Sequence, residues 1–412
     1  MSAWREIALE ELTENFDGKR VPVKEAQRKA GQYPYYGASG VVDHVDKYIF
    51  DGEYLLIAED GENLRTQKTP IAFLARGKFW VNNHAHIVTG NAQADTRFLM
   101  YALNNADING FLTGSTMPKL TQGNMNRIPI LAPPLPEQRA IASVLGSLDD
   151  KIELNRRMNE TLEALAQSLF KSWFVDFDAV RASGGKFQES AIGPVPKGWK
   201  VERFDKHITA DRGLSYKGEG LRDDGTGLPM HNLNSVYEGG GYKHEGIKYY
   251  AGEYREKHRL QPGDMIVTNT EQGFDHLLIG HAAIVPKRYG PQGLFSHHIY
   301  RVRHKPTSPF SPHYLVELFN NRRWHYWISG FSNGTTINML PKDALEMPLL
   351  VVPPDELVKK FTALAEAVHT KVEANLEESR TLAALRDALL PKLLSGELRV
   401  PAAAGKLAEA CP

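Results

Sequence analysis

The sequence lacks several features that would place it in a common class of protein. Its 412 residues contain one cysteine, Cys411, so no internal disulfide can form. Apolar runs such as residues 54–57 and 349–352 are far shorter than the ~20 residues that a membrane-spanning helix needs. The N-terminal stretch "MSAWREIALEEL" carries charges where a signal peptide has an apolar core. We therefore expect a cytoplasmic protein with a reduced thiol.

The sequence also has no excess of one charge, since 49 basic residues balance 49 acidic ones. Many nucleic-acid-binding proteins are strongly basic, so this balance counts mildly against DNA binding. Net charge does not describe local patches, however, and local patches decide contacts with phosphate. Composition is that of an ordinary globular protein, and the length allows about two or three domains.

Sequence signatures of catalysis are missing as well. There is no "GxxxxGK[ST]" loop for nucleotide phosphates, no "NPP" followed by an aromatic residue, and no cysteine pair for zinc. The histidines at His84 and His86, and the pair His297–His298, come nearest to a metal cluster, but no third ligand is evident. A structural or DNA-contacting role suits them better. We predict no catalytic residue, no metal and no cofactor in this chain.

Two long helical patterns stand out among the features that are present. One begins at Pro133 with "PPLPEQRAIASVLGSLDDKIELNRRMNETLEAL", and the other begins at Val352 with "VPPDELVKKFTALAEAVHTKVEANLEESRTLAALRDALL". With an offset of 220, residues at heptad spacing fall in register, as expected for the seam of a coiled coil. The predicted seam residues are Ile141, Leu148, Asn155, Leu162, Phe361, Val368, Asn375 and Leu382. The two asparagines either fix the register of the seam or face solvent.

The repeat extends beyond the helices. "GSTMPKL" at Gly114 matches "GTTINML" at Gly334, and "AWREI" at Ala3 weakly matches "GWKVE" at Gly198. We therefore predict an α+β fold in which two mixed α/β globular domains are separated by two long antiparallel coiled-coil helices, as a pseudo-twofold internal repeat. The predicted boundaries are 1–133 (first domain), 134–180 (central helix), 181–198 (linker), 199–353 (second domain), 354–398 (C-terminal helix) and 399–412 (tail).

Such helices would hold two different domains at a fixed separation. A helix of about 35–38 residues is about 55 Å long, and one turn of DNA is about 34–36 Å. This arrangement suits a two-part target on duplex DNA. An alternative is a non-catalytic adaptor whose helices only bind a partner helix.

The segment "PPLPEQRAIASVLGSLDDKIELNRRMNETLEALAQSLFKSWFVDFDAV" closely resembles the central conserved region of the specificity subunits of type I restriction–modification systems. The resemblance implies a non-catalytic subunit whose two domains each recognise one half of a bipartite double-stranded DNA sequence. It also implies assembly with two adenine-methyltransferase subunits and with ATP-dependent restriction subunits. S-adenosylmethionine, ATP and Mg²⁺ would then belong to those partners. The second helix departs from the pattern, with "VPPDELVKK" in place of "PLPEQRAIA". Specificity chains of bifunctional cut-and-modify systems share this plan and are a second alternative.

Polar, basic and aromatic residues near predicted turns are the candidates for DNA contact, because arginine reads guanine, asparagine and glutamine read adenine, and hydroxyl groups and lysine bind phosphate. In the first domain they are Tyr35, Tyr36, Ser39, Asn63, Arg65, Ser115, Thr116 and Lys119. In the second domain they are Ser215, Tyr216, Lys217, His231, Asn232, Asn234, Gln272, Lys287, Arg288, Arg301, Arg303, Arg322 and Arg323. Each has an ordinary alternative as a core aromatic or a solvated surface group.

The end of the first helix supplies the candidates for partner binding. Trp173, Phe174 and Phe177 are apolar and need burial, either against a methyltransferase subunit or against their own domain.

Overall fold

The chain divides into two compact units in the computed structural model, which describes residues 4–273, 275–334 and 337–400. Unit 1 comprises Met1–Asn155 and Glu377–Pro412, and unit 2 comprises Arg156–Leu376. Most of the predicted tail, including Cys411, lies outside the described residues. None of the described helices combines the length and apolarity needed to cross a membrane.

Unit 1 is built on a six-stranded sheet. The strands of unit 1, including two outside this sheet, are β1 (Arg5–Ala8), β2 (Thr13–Asn15), β3 (Ala30–Gly37), β4 (Gly40–Val45), β5 (Phe50–Ala58), β6 (Ala72–Val81), β7 (Ala85–Gly90) and β8 (Pro129–Ala132). Its short helices are α1 (Leu9–Leu12), α2 (Asn63–Thr66), α3 (Thr96–Asn105) and α4 (Gln122–Asn126). The sheet order is β2-β7-β5-β6-β3-β4, and β1 pairs with β8 separately.

The central strand β5 explains why residues 55–58 are apolar without interruption. Leu55 and Ile57 pack into one buried cluster, whereas Leu56 packs into another cluster with Phe79. Because successive side chains of a strand point to opposite faces, both faces of this sheet are covered. Leu393, from the second long helix, belongs to the first of these clusters. The core of unit 1 therefore uses residues from both ends of the chain.

Unit 2 contains two main sheets, each smaller than that of unit 1. It contains α6 (Asp178–Ala182), β9 (Phe187–Gln188), β10 (Val195–Pro196), β11 (Lys200–Arg203), β12 (Ile208–Arg212), β13 (Leu221–Arg222), β14 (Leu228–His231), β15 (Lys248–Tyr250), β16 (Arg259–Leu260), β17 (Met265–Thr268), β18 (Thr270–Gln272), β19 (Ala282–Ile284), β20 (Gly293–Phe295), β21 (Ile299–His304), α7 (Pro312–Asn320), α8 (Arg322–Ser329), β22 (Ile337–Met339), α9 (Asp343–Glu346) and β23 (Leu349–Val352). One sheet has the order β12-β21-β17-β19, and another has the order β13-β15-β14-β20-β16. The segment predicted as a linker contains the antiparallel pair β9–β10.

Two helices of 40 residues each, α5 (Leu135–Phe174) and α10 (Asp355–Leu394), cover the predicted long helical patterns. Each begins directly after two prolines, which are favourable just ahead of a helix because they lack an N–H group. Part of each helix belongs to each unit.

The two helices run antiparallel within each unit. In unit 1, Asp149 pairs with Arg386 at 2.7 Å, and Asn155 donates to Glu378 at 2.9 Å. In unit 2, Asn375 donates to Asn159 at 2.8 Å, and the rings of Phe170 and Phe361 lie 5.4 Å apart. In both units, therefore, later residues of α5 meet earlier residues of α10.

The residues predicted to form the seam are all at least partly covered. Ile141, Asn155, Phe361 and Asn375 are buried, and Leu148, Leu162, Val368 and Leu382 are half-buried. Asn155 and Asn375 are only 0% and 1% exposed, so neither faces solvent. Buried amides need hydrogen-bond partners, and those partners restrict which register of the two helices is favourable.

An asparagine at the C-terminal end of a helix joins that helix to the sheet in both units. Asn104, at the end of α3, accepts from Ala72 N at 3.0 Å and donates to Ala72 O at 2.8 Å. Asn320, at the end of α7, accepts from Ala282 N at 2.9 Å and donates to Ala282 O at 3.1 Å. The two units therefore repeat the same local geometry.

We expect Asn104→Ala to destabilise unit 1 and Asn320→Ala to destabilise unit 2, each by about 2–3 kcal/mol, because backbone groups lose their partners. Native-state hydrogen exchange checks this by reporting opening in each unit separately. The exposed Asn109, whose side chain donates to Asp107, supplies the control Asn109→Ala. Equal effects of Asn104→Ala and Asn109→Ala would contradict the prediction.

Candidate nucleic-acid interface

Each unit contains a short loop closed by a pair of backbone hydrogen bonds, which we call the glycine hairpin. In unit 1 it covers residues 113–119: Thr113 N donates to Lys119 O at 2.8 Å, and Lys119 N donates to Thr113 O at 2.7 Å. Gly114 has φ +86°, and a Cβ atom there would lie 2.2 Å from Met117 O. Only glycine fits this position without distortion.

The glycine hairpin of unit 2 covers residues 333–339 and closes in the same way. Asn333 N donates to Met339 O at 2.9 Å, and Met339 N donates to Asn333 O at 2.8 Å. Gly334 has φ +152°, and a Cβ atom there would lie 2.1 Å from Ile337 O. Thr335 and Thr336 lie outside the described residues. The repeated motif of the sequence is thus closed by the same pair of backbone hydrogen bonds in both units.

Both hairpins are fixed to the sheet through the leucine that follows them. In unit 1, Leu120 N donates to Glu59 O at 2.8 Å, and His86 Nε2 lies 2.8 Å from Leu120 O. In unit 2, Leu340 N donates to Asn269 O at 2.8 Å, and the Tyr300 hydroxyl donates to Leu340 O at 2.9 Å. The imidazole of His86 and the phenol of Tyr300 therefore hydrogen-bond equivalent carbonyl groups from equivalent positions in the two units.

The polar groups beneath the hairpin of unit 1 are charged. Both ring nitrogens of buried His86 lie within hydrogen-bonding distance of oxygen atoms, Nδ1 at 2.6 Å from Asp17 Oδ2 and Nε2 at 2.8 Å from Leu120 O. Burial alone would raise the pKa of Asp17, but the hydrogen bond and charge of His86 lower it below the usual range. Glu59 pairs with Arg20 at 2.8 Å and with Lys119 at 3.2 Å.

The matching groups of unit 2 are mostly uncharged. Asn269 takes the place of Glu59, and Tyr300 takes the place of His86. His298 hydrogen-bonds Thr270 at 3.0 Å, where His84 of unit 1 hydrogen-bonds Asp60 at 2.7 Å. The framework of the hairpin is the same in both units, while its chemistry differs.

The predicted DNA contacts of unit 1 gather partly at the hairpin. Ser115 and Thr116 are exposed at its tip, whereas Lys119 is already paired with Glu59. Arg65 is exposed but pairs with Glu62 at 3.0 Å, and the Asn63 side chain holds the backbone of Thr69. Ser39 is exposed in the turn between β3 and β4. Tyr36 is half-buried against Phe73 and Phe79.

In unit 2 most predicted contacts are at the surface but scattered. The exposed ones are Ser215, Lys217, Asn234, Gln272, Lys287, Arg288, Arg303, Arg322 and Arg323. Arg303 is paired with Asp264 at 3.1 Å, and Tyr216 is half-buried beside Tyr250. Gln272 is close to the hairpin, since β18 pairs with β22.

Four predicted DNA contacts are wrong for this structure because their side chains lie inside the protein. Tyr35 is 1% exposed, and its hydroxyl is bound to the backbone of Val23. His231 and Asn232, at the end of strand β14, are 1% and 6% exposed and bind groups of their own unit. Arg301 is 5% exposed and pairs with Asp211 at 2.6 Å. These side chains support the surface and are not part of it.

The predicted partner contacts need a similar correction. Phe174 and Phe177 are 7% and 6% exposed and belong to the core of unit 2, so burial against their own unit explains them. Trp173 is half-buried beside Phe361, and the ammonium group of Lys360 lies 5.7 Å from its ring centroid.

No sequence signal pointed to the residues that fix the hairpins, namely the half-buried Glu59 and the buried Asn269 and Tyr300, and His86 was expected only to have a structural or DNA-contacting role. Unit 2 also has a groove of about 280 Å³ that the sequence did not indicate; it is lined by Lys257, Arg259, Gln292, Arg301 and Arg303 together with Glu256 and Gln261. Within the described ranges, no group of three or more potential ligands could hold a metal ion.

Comparisons with known proteins point to one family. The family model described as "Type I restriction modification DNA specificity domain" matches residues 1–164. A candidate type I restriction enzyme specificity subunit from Haemophilus influenzae is 41% identical over 144 residues, which cover 34% of this chain and only 36% of that protein. The MjaIX specificity subunit of the type I restriction enzyme from Methanocaldococcus jannaschii is 24% identical over 96% of this chain and 94% of its own length.

Among solved structures, the S subunit of a type I restriction–modification system from M. genitalium superposes with a TM-score of 0.62. The identity is 14%, and the alignment covers 95% of this chain and 96% of that one. At this identity the likeness concerns the fold.

The buried His231 gives a pH prediction. Burial lowers its pKa from 6.5 to about 3, so the unfolded chain binds a proton more readily than the folded one. Stability from neutral His231 is therefore complete above pH 6.5 and is lost progressively as the pH falls toward 3. We expect the free energy of unfolding of the wild type to fall more steeply below pH 6.5 than that of His231→Asn, by up to about 1.4 kcal/mol per pH unit. Urea denaturation at several pH values measures both slopes, and equal slopes would contradict the prediction.

Proposed function

We propose that the chain is a specificity subunit of a type I restriction–modification system and that it recognises a bipartite DNA target for such a complex. In this proposal each unit binds one half of the target. Two adenine-methyltransferase subunits and ATP-dependent restriction subunits carry out the chemistry, with S-adenosylmethionine, ATP and Mg²⁺ bound to those partners. The chain itself is not an enzyme.

The observation that carries the proposal is the repetition of one anchored hairpin with different side chains. Ser115, Thr116 and Met117 are exposed on the hairpin of unit 1, while Asn333 and Ile337 are exposed on that of unit 2. Two loops with the same anchoring and different exposed side chains are what two different half-sites require. Contacts to phosphate would position each unit, and side chains that reach base edges would supply the specificity.

The experiment is to express the chain with its methyltransferase partner in a host without adenine methylation, and to map the modified adenines across the genome. A split motif with a constant unread gap, seen only when this chain is present, is the expected result. A stable complex that methylates no motif would contradict DNA recognition by this chain. The absence of a complex would contradict the proposed partners.

We expect the length of the unread gap to follow the length of the long helices. Seven residues inserted after Asn155 and seven inserted after Asn375 preserve the heptad and add about 10 Å, or about three base pairs. The methylation map should show a longer gap between the same two half-sites. Seven residues inserted in only one helix are the control, because they break the pairing and should abolish methylation. A gap of unchanged length would contradict a spacing role for the helices.

Each glycine hairpin should affect only one half-site. Gly114→Ala and Gly334→Ala force their hairpins to rearrange at a cost on the order of 1–3 kcal/mol. We expect the affinity of each variant for the intact target to fall by the factor that corresponds to this free-energy cost. Binding assays at a fixed salt concentration measure that affinity. Its loss should disappear on a duplex in which the half-site of that unit is scrambled.

Gly110→Ala and Gly218→Ala are the controls in units 1 and 2, since an added Cβ meets no atom within 4 Å at either position. If both hairpin variants lost affinity for the same half-site, the assignment of one half-site to each unit would be wrong.

A further inference from the structure

Arg212 occupies a position at which the two units differ in charge. Its counterpart in unit 1 is Asp17, as the strand pairing shows. Arg212 lies two residues after Ala210, which pairs with Val302. Asp17 lies two residues after Asn15, which pairs with Val88, the equivalent of Val302. In unit 1 the acid turns inward to His86 at 2.6 Å. In unit 2 the guanidinium group is exposed and forms no ion pair with the carboxylates of the described residues.

Arg212 opens onto a cavity beside the glycine hairpin of unit 2. The cavity measures about 550 Å³. Its lining residues are Arg212, Tyr300, Asn333, Met339, Leu340, Pro341 and Lys342. It has a cationic wall, apolar side chains and one amide, and a cavity of this size can hold the sugar and phosphate of a nucleotide. Lys342 adds a second cation, although it also pairs with Glu346 at 3.0 Å.

The backbone at Arg212 is held in place before any ligand binds. Arg212 pairs with Tyr300 across β12 and β21, and Leu214 N donates to Phe295 O at 2.7 Å. Between them, Gly213 lies so close to Ser296 that a Cβ atom would be 2.2 Å from the Ser296 carbonyl oxygen. A cation on a fixed strand end loses less conformational freedom on binding than a cation on a loose loop.

On the basis of the proposed function, we propose that this cavity binds a backbone phosphate of the half-site recognised by unit 2, with Arg212 as the ion-pairing group. A guanidinium group suits this role because two of its N–H groups can bind two phosphate oxygens together. The hairpin beside the cavity, through Asn333 and Gln272 of the neighbouring strand, would then be positioned over the adjacent base edges. Unit 1 has no counterpart of this contact, because Asp17 stands in its place.

The test uses the full chain in its methyltransferase complex and duplex DNA with the mapped target. Binding is measured at several KCl concentrations for the wild type, Arg212→Gln and Arg212→Lys. Loss of one phosphate contact should make the slope of log K against log[KCl] less negative by about 0.9, and it should weaken binding equally for all base changes in the target. We expect this result for Arg212→Gln and a restored slope for Arg212→Lys.

Arg203→Gln is the matched control, since it removes the same charge from unit 2 at a side chain already paired with Asp205 at 2.8 Å. If Arg212→Gln and Arg203→Gln behaved alike, the phosphate site would be refuted while DNA recognition stood. If Arg212→Gln changed the preferred base at one position, and Arg212→Lys did not restore it, Arg212 would read a base and the proposal would be overturned. A wild-type complex that binds no DNA would overturn the proposed function as well.

Discussion

The carbonyl oxygen that follows each glycine hairpin sets the requirement on which the rest of the interface depends. Leu120 and Leu340 are buried, at 0% and 1% exposure, so their carbonyl groups must find donors inside the protein. His86 and Tyr300 supply those donors from equivalent places on the central strands. Each hairpin is thereby fixed to a sheet that is covered on both faces, and its tip can vary without moving its base.

The same constraint is met by two different chemistries. In unit 1 the imidazole of His86 lies against the carboxylate of Asp17, and ion pairs of Arg20 and Lys119 with Asp17 and Glu59 surround it. In unit 2 the phenol of Tyr300 takes the place of the imidazole, and the nearby Arg212 is exposed. The two equivalent donors therefore lie beside surfaces of different charge.

The long helices and the repeated glycine motif were predictable because each has a strict local signal: a heptad, two prolines, or a glycine that must adopt positive φ. The shared donor was not predictable. The donor is a histidine in one unit and a tyrosine in the other, so the two positions do not match as residue types. His86 and Tyr300 also do not lie at the offset that aligns the helices. Arg301 illustrates the other failure, because a basic segment that looks exposed in sequence contributes a central strand residue that is paired inside the unit.

The division of the chain also fixes the order in which the units can form during synthesis. Unit 2 is continuous, so all its residues exist once Leu376 has been made. Unit 1 needs Leu393, which lies in its core, and Arg386, which pairs with Asp149. At about 5–20 residues per second, the first domain to leave the ribosome waits on the order of 10–50 s for its last helix. During that interval the core of unit 1 lacks the residues of its last helix, and the apolar surface that they cover in the folded unit stays exposed.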